Sequence, residues 1–434
     1  MKLLIKGGRV VDPSQDLDAI MDVLIENEKV AALGANLVAD EATQVIEANG
    51  LVVAPGLVDL HVHLREPGQE AKEDIITGTK AAVAGGFTTI VPMANTNPAI
   101  DSAIIVSGLQ ERIKKDALAE VMVVGAVTKG LKGEELAEMG DMAQNGVVAF
   151  SDDGHFVENS RLFRSALEYA SMFGKPVISH AEEPSLAGDG FMHEGAVSAR
   201  LGIPGIPDVA EDIAVARDVL LAENTGAHLH VAHVSTKGAV EIIRQAKKRG
   251  VHVTAEATVH HLTLTDEAVS GFNTATKVAP PLRSAEHVQA LREGLKDGTI
   301  NAIITDHAPH AFEEKDVEFR YAPNGFCGLE TSLGVILTEL YHTGEFSLSE
   351  IIGKMSVEPA HIFSLYAGSL KIGMPGNVVL IDLDKEWVVE KKNFYTRGKA
   401  TPYEGKRCRG QAVMTIVRGN VRMKDGDVCV GERN

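Results

Sequence analysis

Across the middle of the chain, apolar strand-like runs alternate eight times with amphipathic helical segments. The runs occupy residues 57–64, 88–93, 121–127, 146–150, 176–179, 229–232, 251–255 and 302–305. Helical segments follow most of them, at residues 72–84, 102–115, 134–145, 160–173, 209–224, 238–249 and 285–295. Strands that alternate with helices form parallel sheets, because each helix returns the chain to begin the next strand. The pattern predicts an α/β fold, a closed (β/α)8 TIM barrel, although an open doubly wound sheet has the same local pattern.

Shorter β-like runs occupy both ends of the chain. They lie at residues 3–5, 9–11, 23–25 and 44–46, and again at 377–383, 387–389, 412–417 and 421–423. Pairs such as Gly7-Gly8 and Asn49-Gly50 separate the first set and predict turns. Because the termini of a domain usually lie close together, the two sets can complete one sheet. We expect a small antiparallel β-sandwich built from residues 1–53 and 367–434, attached to a barrel of residues 54–366.

Charge and cysteine content limit the partners of the chain. Its formal net charge of −18 repels phosphate backbones and anionic lipids, which argues against nucleic acid or a membrane as partner. The three cysteines, Cys327, Cys408 and Cys429, lack the spacing of a disulfide framework or of a thiolate zinc site. No signal peptide or membrane span is recognisable. We therefore expect a cytoplasmic protein, in which any site for an anionic substrate needs its own cations.

Polar side chains collect where the strand-like runs end. His61 and His63 close the first run, and strand alternation places them on one face. Later runs end in Asn95, Thr128, Asp153, His180, His233, Glu256 and Asp306. In a barrel these ends meet at one mouth, where the active sites of such barrels lie. Imidazole and carboxylate ligands without thiolate suit a catalytic Zn²⁺ site with one ion or two.

Several segments carry a family resemblance. They are residues 59–68 (D-L-H-V-H-L-R-E-P-G), 93–98 (M-A-N-T-N-P), 150–154 (F-S-D-D-G), 230–236 (H-V-A-H-V-S-T), 305–310 (T-D-H-A-P-H), 373–377 (G-M-P-G-N) and 401–405 (T-P-Y-E-G). Together they resemble bacterial dihydroorotases of the amidohydrolase superfamily over essentially the whole chain. The H-x-H pair is shared across that superfamily, whereas L-R-E-P-G combined with T-D-H-A-P-H is specific.

The resemblance implies a set of metal ligands. One Zn²⁺ would be held by His61, His63 and Asp306 and a second by His180 and His233, with Asp153 bridging both. Asp152 competes with Asp153 for the bridge, because only one of two neighbours in a strand faces inward. Many relatives use a carboxylated lysine there, which this chain lacks. Asp306 would also be the catalytic residue that moves a proton, whereas Glu256 is expected to support the site.

The resemblance also implies a site for the substrate carboxylate. The residues expected to contact dihydroorotate are His63, Arg65, Asn95, Ala279, His310, Asn324 and Gly325. Arg65 offers a planar fork for a carboxylate; the alternative is that it pairs with Glu66 or with another acid at the rim. Many relatives have an asparagine at the position of Ala279, which cannot donate a side-chain hydrogen bond. Either the backbone substitutes for that donor or substrate affinity is lower by about 1 to 3 kcal/mol.

The expected reaction is the reversible cyclisation of N-carbamoyl-L-aspartate to (S)-dihydroorotate, a step of pyrimidine biosynthesis. One alternative is a hydantoinase or allantoinase, which a bridging lysine and the absence of a carboxylate-binding arginine would favour. A second is a non-catalytic dihydroorotase-like scaffold for aspartate transcarbamoylase, which would lack metal ligands. We further expect a homodimer, and the sequence leaves open whether aspartate transcarbamoylase is a partner.

Overall fold

Eight parallel strands form a barrel in the computed structural model, which describes residues 2–429. The strands are Leu57–Val62, Phe87–Pro92, the interrupted pair Glu120–Val121 and Val124–Gly125, Ala149–Ser151, Val177–Ser179, Leu229–Val231, Val253–Thr258 and Ala302–Ile304. They pair in chain order. Hydrogen bonds continue across the interruption, because Met122 N–H donates to Ile90 O (3.0 Å) and Val148 N–H donates to Val123 O (2.9 Å).

The first and eighth strands close the barrel. The buried Asp59 carboxylate accepts hydrogen bonds from the Thr305 hydroxyl (2.6 Å) and from Thr305 N–H (3.2 Å). Further along both segments, Val62 forms a parallel bridge with His307, and His63 N–H donates to His307 O at 2.8 Å. The predicted closed barrel is therefore confirmed, and the open-sheet alternative is excluded.

Helices surround the barrel. Those that connect successive strands are Ile75–Ala84, Ala103–Asp116, Met139–Gln144, Ser160–Ser171, Val209–Thr225, Lys237–Lys248 and Ala285–Lys296. The segments after the eighth strand are Ser332–Ile336, Leu337–Tyr341, Leu348–Ile352, Gly353–Val357 and Glu358–Ile362. Shorter helices in loops are Pro184–Ala187, Ala196–Leu201, Val259–Thr263 and Phe312–Lys315. Within residues 2–429, no helix is both long enough and apolar enough to cross a bilayer.

A second sheet joins the two ends of the chain. Its strands lie in the order Asp427–Val428, Asn420–Lys424, Arg407–Val417, Val378–Val388, Val52–Pro55, Lys2–Asp12, Leu17–Glu26 and Lys29–Gly34, and Gln44–Glu47 pairs with Lys2–Asp12. Antiparallel pairing of Ala54 with Val379 connects the halves, and Leu3, Ile25 and Ile416 share one apolar core. The predicted β unit made from both termini is confirmed, whereas the domain limits at 53/54 and 366/367 stay predictions.

Details of this sheet differ from the sequence-based expectation. The Gly7-Gly8 pair is not a turn between two strands, because Lys2–Asp12 is one strand with a register shift between Ile5 and Gly8. Gln44–Glu47 and Val52–Pro55 run parallel to Lys2–Asp12, so the sheet is mixed and not purely antiparallel. The strand Lys29–Gly34 was not predicted; only Val30 in it is fully buried.

Candidate metal centre

Six side chains converge at the mouth formed by the C-terminal ends of the barrel strands: His61, His63, Asp153, His180, His233 and Asp306. Asp153 lies at the centre of this cluster. Its Oδ1 is 3.3 Å from His61 Nε2, and 3.5 Å from both His180 Nδ1 and His233 Nε2. Asp306 Oδ1 lies 3.2 Å from His63 Nε2 and 3.8 Å from His61 Nε2. All six side chains are buried.

The donor set of this cluster fits a metal ion. Two groups, His61–Asp153–His233 and His61–His63–Asp306, each bring their ligand atoms within 4.8 Å of one another. His61 Nε2 and Asp153 Oδ1 face each other, yet neither has a hydrogen-bond partner in the described chain. Buried polar atoms are normally paired, and a bound cation would satisfy both atoms. The second group matches the predicted first metal site, and the roles of the six residues as ligands stay predictions.

Backbone conformation directs three of the site residues into the mouth. Arg65, His233 and Asp306 have φ angles of 61°, 31° and 47°. This left-handed region is uncommon for residues with a Cβ and costs about 1 to 3 kcal/mol where it is strained. The chain therefore leaves the strand conformation at these three residues, which all line the cavity beside the cluster.

The buried carboxylates of Asp306 and Glu256 have lowered pKa values. Burial alone would raise the pKa of Asp306, but the imidazoles of His63 and His61 outweigh it and hold the pKa below its usual value. Burial likewise opposes ionisation of Glu256, yet His230 and His61 lower its pKa to about 2. Glu256 Oε1 lies 2.7 Å from His61 Nδ1. Because a carboxylate only accepts hydrogen bonds, His61 donates from Nδ1, and Nε2 is the ring nitrogen that could bind a metal.

The structure distinguishes Asp153 from its neighbour Asp152. Asp152 Oδ1 accepts hydrogen bonds from Val127 N–H (2.8 Å) and Thr128 N–H (2.9 Å), and its Oδ2 accepts from the Thr128 hydroxyl. The Asp152 carboxylate therefore connects the third and fourth strands, while the Asp153 carboxylate lies within the histidine cluster.

A cavity of about 250 Å³ adjoins the cluster and is lined by every residue predicted to contact the substrate: His63, Arg65, Asn95, Ala279, His310, Asn324 and Gly325. Arg65 is buried, and its Nε donates to Pro309 O at 3.2 Å. Within residues 2–429 it forms no ion pair, and Glu66 pairs instead with Arg112 at 2.9 Å. The alternative pairing of Arg65 with Glu66 is therefore wrong.

Two of these residues already serve the site in other ways. Asn95 Oδ1 lies 2.9 Å from His63 Nδ1, and Asn95 Nδ2 donates to Asp153 O at 3.3 Å, so this amide orients a candidate ligand. His310 Nε2 donates to Asn324 O at 2.7 Å. Burial and the neighbouring Arg65 lower the pKa of His310 to about 3, so its ring is neutral.

The remaining wall of the cavity is formed by small residues and one unpredicted acid. Gly325 has φ of 112°, and a Cβ there would lie 2.7 Å from that of Ala308, so only glycine fits. Its N–H donates to Lys277 O (2.9 Å) and is not free for a ligand. Ala279 contributes a methyl group, and the weaker substrate binding expected from it stays a prediction. Glu182 also lines the cavity; its only sequence signal was its position two residues after His180.

Comparison with known proteins agrees with this geometry. A family model described as "Dihydro-orotase-like" matches residues 50–239. The dihydroorotase of Citrifermentans bemidjiense is 54% identical and that of Syntrophus aciditrophicus 51% identical, each over 97% of this chain and 99% of its own. The solved structure of an L-hydantoinase from Arthrobacter aurescens has a TM-score of 0.90 at 28% identity and covers 99% of this chain and 97% of its own.

The closed barrel, the histidine–aspartate cluster at its C-terminal mouth and the structural similarity define a hydrolase of the amidohydrolase superfamily. Within that superfamily the relatives that share about half of the residues over nearly the full length are dihydroorotases. The chain belongs to the dihydroorotase family.

Separate asparagine substitutions of Asp153 and Asp152 test which of the two aspartates binds the metal. We expect Asp153→Asn to weaken Zn²⁺ binding by more than the roughly 10- to 100-fold that follows loss of an outer partner of a ligand. Asp152→Asn should keep its metal and lose about 1 kcal/mol of stability, because its hydrogen bonds to Val127 and Thr128 weaken. Metal content after dialysis and thermal unfolding measure both effects. Equal metal loss in the two variants would contradict the assignment of Asp153.

Proposed function

We propose that the protein is a dihydroorotase, which interconverts N-carbamoyl-L-aspartate and (S)-dihydroorotate in pyrimidine biosynthesis. The observation that carries this proposal is Arg65, a buried guanidinium without a carboxylate partner in the described chain, on the wall of the cavity beside the metal cluster. Uncompensated burial of a cation is costly, so such a group is the complement of an anionic ligand. Family membership supports the identity of that ligand.

The proposed cofactor is Zn²⁺, as one ion or as a pair. Imidazole and ionised carboxylate groups, such as those of the cluster, are the ligands that this ion prefers in catalytic sites. When bound, the metal would lower the pKa of water and polarise the amide carbonyl of the substrate. The six buried residues would hold it: His61, His63, Asp153, His180, His233 and Asp306.

The residues of the chain supply binding and proton transfer. The Arg65 fork can hold the substrate carboxylate with two parallel hydrogen bonds, which fixes the ring in the cavity. Asp306 is ionised and lies beside His63 at the same mouth, so it can accept a proton from the attacking water. The same carboxyl then donates that proton to the leaving ring nitrogen. Ring closure follows the same steps in reverse.

The alternatives differ in features that can be compared with the chain. Hydantoinases share the fold, but a ring without a carboxylate gives Arg65 no partner. A non-catalytic scaffold has no use for six convergent buried ligand-type side chains, whose burial costs stability. Both observations favour the active dihydroorotase. A cytoplasmic location, a homodimeric state and an association with aspartate transcarbamoylase are further expectations of the proposal and stay predictions.

Hydrolysis assays on the purified protein test the function. With Zn²⁺ added, we expect ring opening of dihydroorotate with a kcat/KM at least about 100-fold above that for hydantoin or dihydrouracil, because a site built around a polar group rejects analogues without it. Metal content is measured on the same sample. A preference for hydantoin would support the hydantoinase, whereas full metal occupancy without any activity would support the scaffold.

A further inference from the structure

A line of hydrogen-bonded side chains runs through the barrel from the metal cluster toward the opposite mouth. The surrounding barrel core is mainly apolar and includes Val58, Leu60, Val91, Met93, Ile178 and Ile304. Within it, Glu256 is 1% exposed and His230 is 0% exposed. Burying such polar groups is costly unless each is paired, and apolar residues of similar volume are often as stable or more so. These buried polar groups therefore call for a reason other than stability.

The line has four consecutive contacts. His61 Nδ1 lies 2.7 Å from Glu256 Oε1, and Glu256 Oε2 lies 3.0 Å from His230 Nε2. His230 Nδ1 lies 2.8 Å from Thr254 Oγ1, which is also 2.8 Å from His228 Nε2. His230 and Thr254 are paired residues on adjacent strands. His228 and His230 are two residues apart, as are Thr254 and Glu256. Strand alternation therefore places both residues of each pair on the same inward face.

The far end of the line lies at the N-terminal mouth of the barrel. His228 and Thr254 line a cavity of about 410 Å³ there, together with His252, His361 and Lys175. The rings of His228 and His252 stack with centroids 4.0 Å apart. The line therefore crosses the barrel core, from the histidine–aspartate cluster at one mouth to a cavity at the other.

The acceptor-only character of Glu256 determines the direction of every hydrogen bond in the line. Both imidazole nitrogens that face it must donate, which requires a proton on His61 Nδ1 and another on His230 Nε2. His230 Nδ1 can then accept from the Thr254 hydroxyl, whose oxygen accepts from His228 Nε2–H. His61 Nε2, which faces Asp153, is then the ring nitrogen left to bind a metal.

We propose that Glu256 and His230 are positioning residues of the metal centre, and that the line from His228 to His61 fixes the ring orientation and tautomer of His61. Glu256 acts directly on His61, and His230 acts through Glu256. The affinity for metal then depends on side chains in the barrel core that touch neither metal nor substrate. The proposal requires only that the cluster binds a metal, so it does not depend on the identity of the substrate.

Metal affinity of a matched pair of variants tests the proposal. The Gln side chain can replace the Nε2 donor of histidine, whereas the shorter Asn side chain reaches only the Nδ1 position. We expect His230→Asn to raise the Zn²⁺ dissociation constant about tenfold and His230→Gln to stay within about threefold of the parent. Glu256→Gln should raise it by about 10- to 100-fold. Chelator competition with Zn²⁺ alone measures these constants without an activity assay.

The control is Asp22→Asn in the terminal sheet. Asp22 is also a buried carboxylate, and it accepts two backbone hydrogen bonds of 2.8 Å, from Gly7 and Leu37. Asp22→Asn should lower the melting temperature and leave the Zn²⁺ dissociation constant unchanged. The proposal is overturned if the two His230 variants bind Zn²⁺ equally. It is also overturned if affinity falls in proportion to melting temperature in all variants, since a purely structural role predicts that outcome.

Discussion

Asp306→Asn is expected to fold with an intact barrel and to lose turnover by at least about 10³-fold, within the range that general acid–base groups contribute. Asparagine has the shape of aspartate but cannot accept the proton of the attacking water. The loss should appear in kcat as well as in kcat/KM, because the group acts on the reacting atoms and not only in substrate binding. Steady-state kinetics with dihydroorotate at saturating Zn²⁺ measure both parameters.

Two measurements separate proton transfer from metal loss in this variant. Metal content must be determined on the assayed sample, because Asp306 Oδ1 lies 3.2 Å from His63 Nε2 and belongs to a candidate ligand group. Asp266→Asn is the matched control, since Asp266 is a buried aspartate outside the cluster. If Asp306→Asn with full metal retained more than about 1% of turnover, the proton-transfer role would be wrong.

Arg65→Met is expected to raise KM for dihydroorotate by about 30- to 1,000-fold, because truncation of a buried charge partner costs about 2 to 4 kcal/mol. The KM of Arg65→Lys should lie between that of Arg65→Met and that of the parent, since an ammonium keeps the charge but loses the planar fork. The burial of Arg65 in the cavity wall makes the effect large, because little water is available to replace the guanidinium.

Selectivity is the sharper readout of the Arg65 variants. The kcat/KM for dihydrouracil, the same ring without a carboxylate, should change little. The ratio of kcat/KM for dihydroorotate to that for dihydrouracil should therefore fall steeply. Arg112→Met is the control, because this half-exposed guanidinium binds Glu66 and lies outside the cavity. A parallel loss on both substrates in Arg65→Met would show that Arg65 supports the fold and does not bind the carboxylate.

The position of the site was predictable because it follows from local periodicity. Alternation within strands and the common edge of parallel strands were enough to place His61, His180, His233 and Asp306 at one mouth. The choice of Asp153 over Asp152 needed the family resemblance, since the two are neighbours in sequence. The structure supplies the physical reason, because Thr128 and Val127 occupy the Asp152 carboxylate.

Other features depend on contacts that no local pattern encodes. The left-handed backbone at Arg65 directs its side chain into the cavity, and no residue type near it signals that conformation. The pairing of Asn95 with His63 joins side chains from different strands. The contact of His230 with Glu256 is likewise set by the register of the sixth and seventh strands, which the sequence does not specify.

The sheet shared by the two ends of the chain has a consequence for biosynthesis. Val52–Pro55 leaves the ribosome before any barrel strand, but its antiparallel partner Val378–Val388 emerges only after all of them. Domains generally form as units during translation, so the nascent chain carries an unpaired strand edge through most of its elongation. Arrival of the C-terminal strands covers that edge. Completion of the sheet therefore requires synthesis past the barrel, and products terminated within the barrel keep an aggregation-prone edge exposed.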